Sequence, residues 1–298
     1  MKLSGYTYVR NGIEMDYPVV ESIKSVLSIC DEFIVVLGDS QDATREEIEG
    51  INSDKIKIVD TVWDFSKREG GVVFAEQANI GLDHVSGDWV FHIQADEVIH
   101  EDDINKIKES IIEFDSDPKI QGVILPYYHF WGGYNYIRTT RKVHRNEVRL
   151  FRNLKGIRSY RDSQGFRLFS SVDNYLKGET GKKLKVKKVD APMFHYKRVR
   201  PPEKMKQKMN MFFRFYRDDK WIKKYEEKGN TYDYNNVDIL EEFHKSHPAV
   251  MQKRIDNQDW EFVYDKSKQK MKFKYRILYV FEKLTGYRLF EYKNYKLI

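Results

Sequence analysis

Two rhythms of apolar and polar residues alternate from the first residue to Leu125. Leu3 to Val9 and Glu32 to Leu37 are short, nearly continuous apolar runs of strand length, whereas Tyr17 to Ile29 sets Val19, Val20, Ile23, Val26 and Leu27 on one stripe at helical spacing. Gly38-Asp39-Ser40 closes the second run, and Asp42-Ala43-Thr44 opens a helix through Ile51. The same logic predicts strands at 55–59, 89–93 and 121–125, with helices at 72–85 and 102–114 between them. Strands alternating with helices predict a largely parallel sheet covered on both faces. Beyond Pro126 the rhythm yields to aromatic and basic segments with glycines at Gly132, Gly133, Gly156 and Gly165, as expected of longer loops and a mixed sheet. Lys204 to Tyr225 reads as a helix. In the terminal segment, Lys270 to Ile298, basic residues alternate with Phe273, Tyr275, Ile277, Leu278, Val280, Phe281 and Leu284. Such a stripe either docks on the domain or lies on a membrane surface.

Three polar clusters, Tyr8 to Asn11, Gly38 to Ser40 and Gln94 to Glu97, each follow a predicted strand directly. Open α/β sheets bind ligands at that rim. The third cluster is the most informative, because the apolar run Trp89 to Ile93 leads straight into the adjacent carboxylates Asp96 and Glu97. Burying two uncompensated charges is expensive. They therefore stay solvated, cap the helix that begins near Glu101, or hold a ligand.

Charge divides the chain. Residues 1–120 carry 11 Lys/Arg against 26 Asp/Glu, and the remainder 41 against 20, within a net charge of +6 over 298 residues. Seventeen Lys/Arg against six acids between Lys182 and Lys228 exceed what solubility requires and predict a surface that faces an anionic partner. Cys30 is the single cysteine, which excludes an internal disulfide and fits a reducing, cytoplasmic setting. The first residues lack the apolar core of a signal peptide, and no run reaches the roughly 18 apolar residues of a membrane span.

The blocks Thr7-Tyr8-Val9-Arg10-Asn11, Gly38-Asp39-Ser40-Gln41-Asp42-Ala43-Thr44, Arg68-Glu69-Gly70-Gly71, Gln94-Ala95-Asp96-Glu97 and Arg149-Leu150-Phe151-Arg152-Asn153 resemble the family 2 glycosyltransferases. The resemblance continues through Tyr160-Arg161-Asp162-Ser163-Gln164-Gly165-Phe166-Arg167, Phe194-His195-Tyr196, His247-Pro248 and Glu291-Tyr292-Lys293-Asn294-Tyr295-Lys296, the last blocks looking like a bacterial subgroup. It implies a GT-A fold: an α/β, Rossmann-like mixed sheet flanked by helices, with a C-terminal helical extension. Residues 1–125 would form the nucleotide-sugar-binding half, 126–203 the acceptor-binding half of the same domain, and 204–298 the extension.

Moving a sugar from a nucleoside diphosphate requires a cradle for the nucleotide, positive charge for the departing diphosphate and a base for the acceptor hydroxyl. The resemblance assigns Asp96 as ligand of a divalent cation, Mn²⁺ or Mg²⁺, completed by His195. Where relatives carry an acid two residues before that aspartate this chain has Gln94, which offers a hydrogen bond without charge. Asp162, ahead of the tight turn Gln164-Gly165-Phe166, is the candidate base, with Glu97 and Glu147 next. Tyr8 offers a flat face to a nucleobase and Arg10 a fork for phosphate. Asp39 takes the place of an acid that relatives carry at the Gly38 position, and Arg68 and Gln77 complete the candidate nucleotide contacts. The implied reaction is inverting hexose transfer from a nucleotide sugar to a glycan or lipid-linked acceptor, as in cell-surface polysaccharide biosynthesis. The basic second half would rest on the inner, anionic face of the membrane. Two other classes compete, a sugar-phosphate nucleotidyltransferase and a nucleic-acid-binding module. The first lacks a glycine-rich phosphate loop with lysine after the first strand, and the second leaves the acids at three strand ends unexplained, so no nucleic-acid partner is expected.

Overall fold

The computed structural model describes residues 1–298. Its first half is a parallel sheet of β1 (Leu3–Val9), β2 (Glu32–Leu37), β3 (Ile56–Asp60) and β4 (Trp89–His92), in the order β3-β2-β1-β4. Helices α1 (Val19–Leu27), α2 (Thr44–Glu49) and α3 (Val72–His84) make the crossovers. Every residue of β2 and β4 is buried, because helices cover both faces. On one face Val19, Ile23 and Val26 of α1 pack against Phe33, Val35, Trp89 and Phe91. On the other, Leu82 of α3 packs against Tyr6, Ile34 and Val36. The alternating pattern of the first half is thus realised within one or two residues of each expected boundary.

After β4 come β5 (Glu97–Ile99), α4 (Glu101–Asp115), β6 (Gly122–Trp131), β7 (Tyr136–Arg138) and β8 (Asn146–Arg152). Strand β8 runs antiparallel between β4 and β6, so the sheet turns mixed at the middle. The strand expected at 121–125 continues past Pro126 to Trp131. Its distal part, Tyr127 to Trp131, pairs with the later strand Met193–Arg198. Next follow β9 (Ile157–Ser159), β10 (Phe166–Leu168), α5 (Val172–Leu176), β11 (Lys182–Lys188) and β12 (Met193–Arg198). Strand β12 runs parallel to β6 and antiparallel to β5, which sets His195 opposite Glu97 and close to the end of β4.

The rest comprises α6 (Pro202–Phe213), α7 (Asp219–Glu226), β13 (Leu240–Glu242), α8 (Gln252–Asp256), α9 (Phe273–Thr285) and β14 (Tyr295–Leu297). The helix expected over Lys204–Tyr225 is therefore two. The Asp218 side chain accepts the Trp221 N–H and caps a new helix after the turn at Arg217. Residues beyond 204 return to the sheet twice, as β13 beside β7 and β14 beside β11.

Of the two placements expected for the terminal stripe, docking on the domain holds only for Tyr275 and Leu278, which are half-buried, and fails for the rest. Helix α9 turns its polar side to the protein: the Tyr279 hydroxyl donates to Glu241 at 2.6 Å, Lys283 donates to Glu241 at 2.8 Å, and Glu282 accepts from Arg288 at 2.8 Å. These anchors fix the rotation of the helix. Phe273, Ile277, Val280 and Leu284 consequently face outward at 78%, 54%, 51% and 81% exposure.

Candidate functional site

The ends of β1 and β4 open into a cavity roofed by α6. Tyr8, Val9 and Arg10 come from β1 and the residue after it, Gln94, Ala95 and Asp96 from the link between β4 and β5, and Asp162 from the turn between β9 and β10. Lys197 of β12 and Lys208, Met211 and Phe212 of α6 close the far side, with Tyr216 just beyond that helix. Tyr17, Trp63 and Phe74 add aromatic surface.

The two adjacent carboxylates have opposite fates. Glu97 is fully buried, and both its oxygens accept from the Arg149 fork, at 2.7 and 2.9 Å, while Tyr127 donates to it at 2.8 Å. Engaged in this way it clasps β5 to β8 and β6 rather than accepting a proton from substrate. Asp96 turns into the cavity. Its Oδ2 lies 3.1 Å from the Lys208 ammonium and its Oδ1 3.5 Å from His195 Nε2. Burial works to raise the Asp96 pKa, but Lys208 and His195 hold the carboxyl well below the ordinary value. The His195 Nδ1 meets His129 Nδ1 at 3.0 Å, and burial with the nearby His195 pulls the His129 pKa well down.

Asp96 and His195 thus come together, yet the group seated on Asp96 is an ammonium. A divalent ion at a diphosphate site takes one or two protein carboxylates and draws its other ligands from water and phosphate, so the question is whether Asp96 is free to serve it. Gln94 contributes no charge, and the Lys208 ammonium already occupies Asp96 Oδ2. The one carboxylate of the motif that faces the cavity is thus compensated by a lysine, which leaves a divalent cation a poor fit in this arrangement.

Asp162 sits between Arg161 and Ser163, both in the left-handed region at φ of 55° and 63°. Non-glycine residues rarely hold that conformation, and a turn built from two of them fixes where the carboxylate points. Tyr216 donates to its Oδ2 at 2.7 Å, while Oδ1 is buried without a partner. Glu147 accepts from the Val148 N–H, and burial pushes its carboxyl up to about 7. It lies beside Gly165 and does not line the cavity.

Among the candidate nucleotide contacts, Tyr8, Arg10 and Gln94 line the cavity, whereas Asp39 supports it from behind. The Arg10 Nε donates to Asp39 at 2.9 Å, and Asp39 also accepts from the Trp63 N–H at 3.3 Å. Partial burial works to raise the Asp39 pKa, but Arg10 and Trp63 hold it below the ordinary value. Gly38 explains the shifted acid: a Cβ there would lie 2.6 Å from the Trp63 indole nitrogen and 2.8 Å from Arg10 Cβ. Arg68 and Gln77 lie elsewhere. Arg68 donates to the Arg214 carbonyl and pairs with Asp219 at the surface, and Gln77 accepts from Thr61 within the fold.

Sequence reasoning missed Tyr17, Trp63, Phe74, Lys197, Lys208, Phe212 and Tyr216. Lys197 and Lys208 belong to the basic stretch expected to form a surface, but Lys206 and Lys208 are buried and Arg200 is wholly so. Alternating lysines at 204, 206 and 208 do not say which will turn inward. A larger cavity, about 450 Å³, lies between residues 141–146 and the C-terminus. Its Arg145 and Arg288 are already paired, with Glu291 and Glu282.

The profile of the family described as Glycosyl transferase family 2 matches residues 18–174. No curated protein matches the chain. Among solved structures, residues 1–349 of S. aureus TarS align at 18% identity over 51% of this chain and 47% of that one, with a TM-score of 0.34. TarS 1–349 in complex with UDP aligns at 15% identity over 71% and 64%, with a TM-score of 0.37. Glucosyl-3-phosphoglycerate synthase from Mycobacterium tuberculosis, in complex with Mn²⁺, UDP and phosphoglyceric acid, aligns at 17% identity over 43% of each chain, with a TM-score of 0.31. The chain spans about half the length of TarS 1–349 in the first of these alignments.

Proposed function

Because the chain belongs to glycosyl transferase family 2, we propose that it moves a hexose from a nucleoside diphosphate donor to a hydroxyl of a glycan or lipid-linked acceptor, in the cavity between Asp96 and Asp162. The observation that carries this reading is a buried carboxylate oxygen without a partner, Asp162 Oδ1, in the same cavity as Lys197, Lys208 and Arg10. An acceptor hydroxyl placed against Asp162 loses its proton to that oxygen as it attacks the anomeric carbon. The bond from that carbon to the diphosphate oxygen breaks on the opposite side, so the configuration inverts. Negative charge gathers on the departing diphosphate, and the cations of the cavity oppose it. Tyr8 and Trp63, whose ring centroids are 6.4 Å apart, offer faces on which a nucleobase stacks. Tyr216 keeps Asp162 oriented. The chemistry is tested by incubating the protein with a panel of nucleotide sugars and measuring nucleoside diphosphate release. Slow release from one or more donors, lost in Asp162→Asn, is expected, and release unchanged in that variant would refute the assignment.

The outward stripe of α9 supports peripheral contact with an anionic membrane. No helix of the protein is long and apolar enough to cross one. Lys270, Lys272, Lys274, Arg276 and Lys283 are exposed around Phe273, Ile277, Val280 and Leu284, whereas Glu282 is drawn inward by Arg288. Apolar side chains enter the headgroup boundary while each nearby cation gains about 1 kcal/mol from anionic lipid. Flotation with phosphatidylglycerol vesicles that recovers the protein at low salt, and not with neutral vesicles, is the expected result. Equal absence from both would refute it.

A further inference from the structure

Asp96 has the place at the end of β4 where the family resemblance expects a divalent cation, and a lysine from α6 occupies that side of the carboxylate. The Lys208 ammonium is 3.1 Å from Asp96 Oδ2 and 3.3 Å from the Lys197 carbonyl oxygen. Of its three donors, one N–H remains for a ligand. A metal on Asp96 would have to displace this ammonium or lie against it, while Gln94, two residues earlier, offers only a neutral amide and His195 holds the other oxygen at 3.5 Å. Neither arrangement compensates the repulsion between two cations in a buried site.

Behind this pair the excess charge continues. Arg200 is wholly buried, and its Nε and Nη2 have no hydrogen-bond partner. Its guanidinium lies 4.9 Å from the centre of the Tyr17 ring, and the Lys208 ammonium 4.3 Å from the same ring. Lys197 opens into the cavity from β12. Three cationic side chains therefore gather where Asp96 is the only carboxylate bonded to any of them; Arg200 lies behind the cavity wall and adds positive field, while Lys197 and Lys208 line the cavity itself.

We infer that Lys208, backed by Lys197 and Arg200, meets the donor diphosphate in place of a divalent ion, so that nucleotide binding and sugar transfer proceed without bound metal. This rests on the donor-site reading given above. When the diphosphate enters, Lys208 keeps its contact with Asp96 and directs its free N–H to a phosphate oxygen. Asp96 then acts as a positioning residue, holding the ammonium at the cavity floor.

The test is calorimetry with UDP, GDP, ADP and CDP on chelator-treated protein, repeated with millimolar Mn²⁺ or Mg²⁺. At least one nucleotide binding in chelator, with affinity changed no more than about twofold by either ion, is expected. Binding that appears only with the ion overturns the inference and leaves the donor-site reading intact, whereas no binding of any nucleotide in either condition overturns both. Lys208→Gln is expected to weaken diphosphate binding about tenfold to a hundredfold, the worth of a charge-assisted hydrogen bond, while the parent nucleoside binds as before. Lys208→Arg, which keeps the charge, restores most of it. Equal loss of nucleoside and diphosphate, or no loss of either, overturns the role. Circular dichroism and thermal unfolding of both variants establish that they fold.

Discussion

The acidic first 120 residues and the basic remainder place charge and apolar surface in opposite ways. In the first part apolar side chains go in and charges stay out: the buried ionic residues are three acids, Glu32, Asp96 and Glu97, with no buried lysine or arginine. In the second part the buried ionic residues are Arg149, Arg167, Arg200, Lys206, Lys208 and Arg288 with Asp238, while α9 displays apolar residues to solvent. The sign of charge along a sequence thus describes composition and not location. The acidic part builds the sheet and its rim, and the basic part sends cations back into that rim. Glu97 with Arg149 and Asp96 with Lys208 are two seams of the same join, one structural and the other facing the cavity.

If the basic part supplies the chemistry, Asp162→Asn should reduce turnover by about a hundredfold to ten-thousandfold while nucleotide binding holds. Single-turnover kinetics beside calorimetry checks this. Breaking the structural seam with Arg149→Met leaves Glu97 buried without its partner and should cost about 3–5 kcal/mol in denaturant unfolding. Lys57→Met removes one exposed cation from buried Glu32, which keeps Lys2, Ser4 and Ser86, and should change stability by about 0.5 kcal/mol or less. Ile23→Ala in the inward stripe of α1 should cost about 2–5 kcal/mol, because the site is fully buried among β-strand side chains.

The acids of the two parts should also titrate in opposite directions. Burial works to raise the Glu32 pKa, but Ser4, Ser86 and Lys57 lower it to about 2, whereas burial lifts Glu147 to about 7. A native carboxyl held above its unfolded value favours the fold at low pH and loses that contribution as pH rises from about 4.5 through about 7. Glu147→Gln should flatten that slope, worth about 2 kcal/mol, in unfolding measured across the window. The smallest effect belongs to the outward helix: Leu284→Ser should alter stability by about 0.5 kcal/mol or less, yet reduce recovery with anionic vesicles. A large loss of stability there would erase the contrast between α1 and α9.

Of the site residues expected from the sequence, Tyr8, Arg10, Gln94, Asp96 and Asp162 line one cavity, because polar residues at strand ends interrupt a strong periodic pattern and the block around Asp162 carries its own turn signal. Sequence reasoning placed Arg68 and Gln77 at the cavity, where neither lies. A helical residue's face depends on what its helix packs against. Lys208 was illegible for the same reason, as one of several lysines at similar spacing on α6.

The sequence by itself determined the alternating first half, the division of charge, and the carboxylates after β4, since these depend on local periodicity and composition. Only the tertiary structure decided that Asp96 meets an ammonium, that Glu97 is consumed by Arg149, and that α9 shows its apolar side to solvent. Each of those outcomes joins residues more than 40 positions apart or follows from anchors outside the helix concerned. Long-range pairing of this kind is set by the packing of whole elements, which no local pattern encodes.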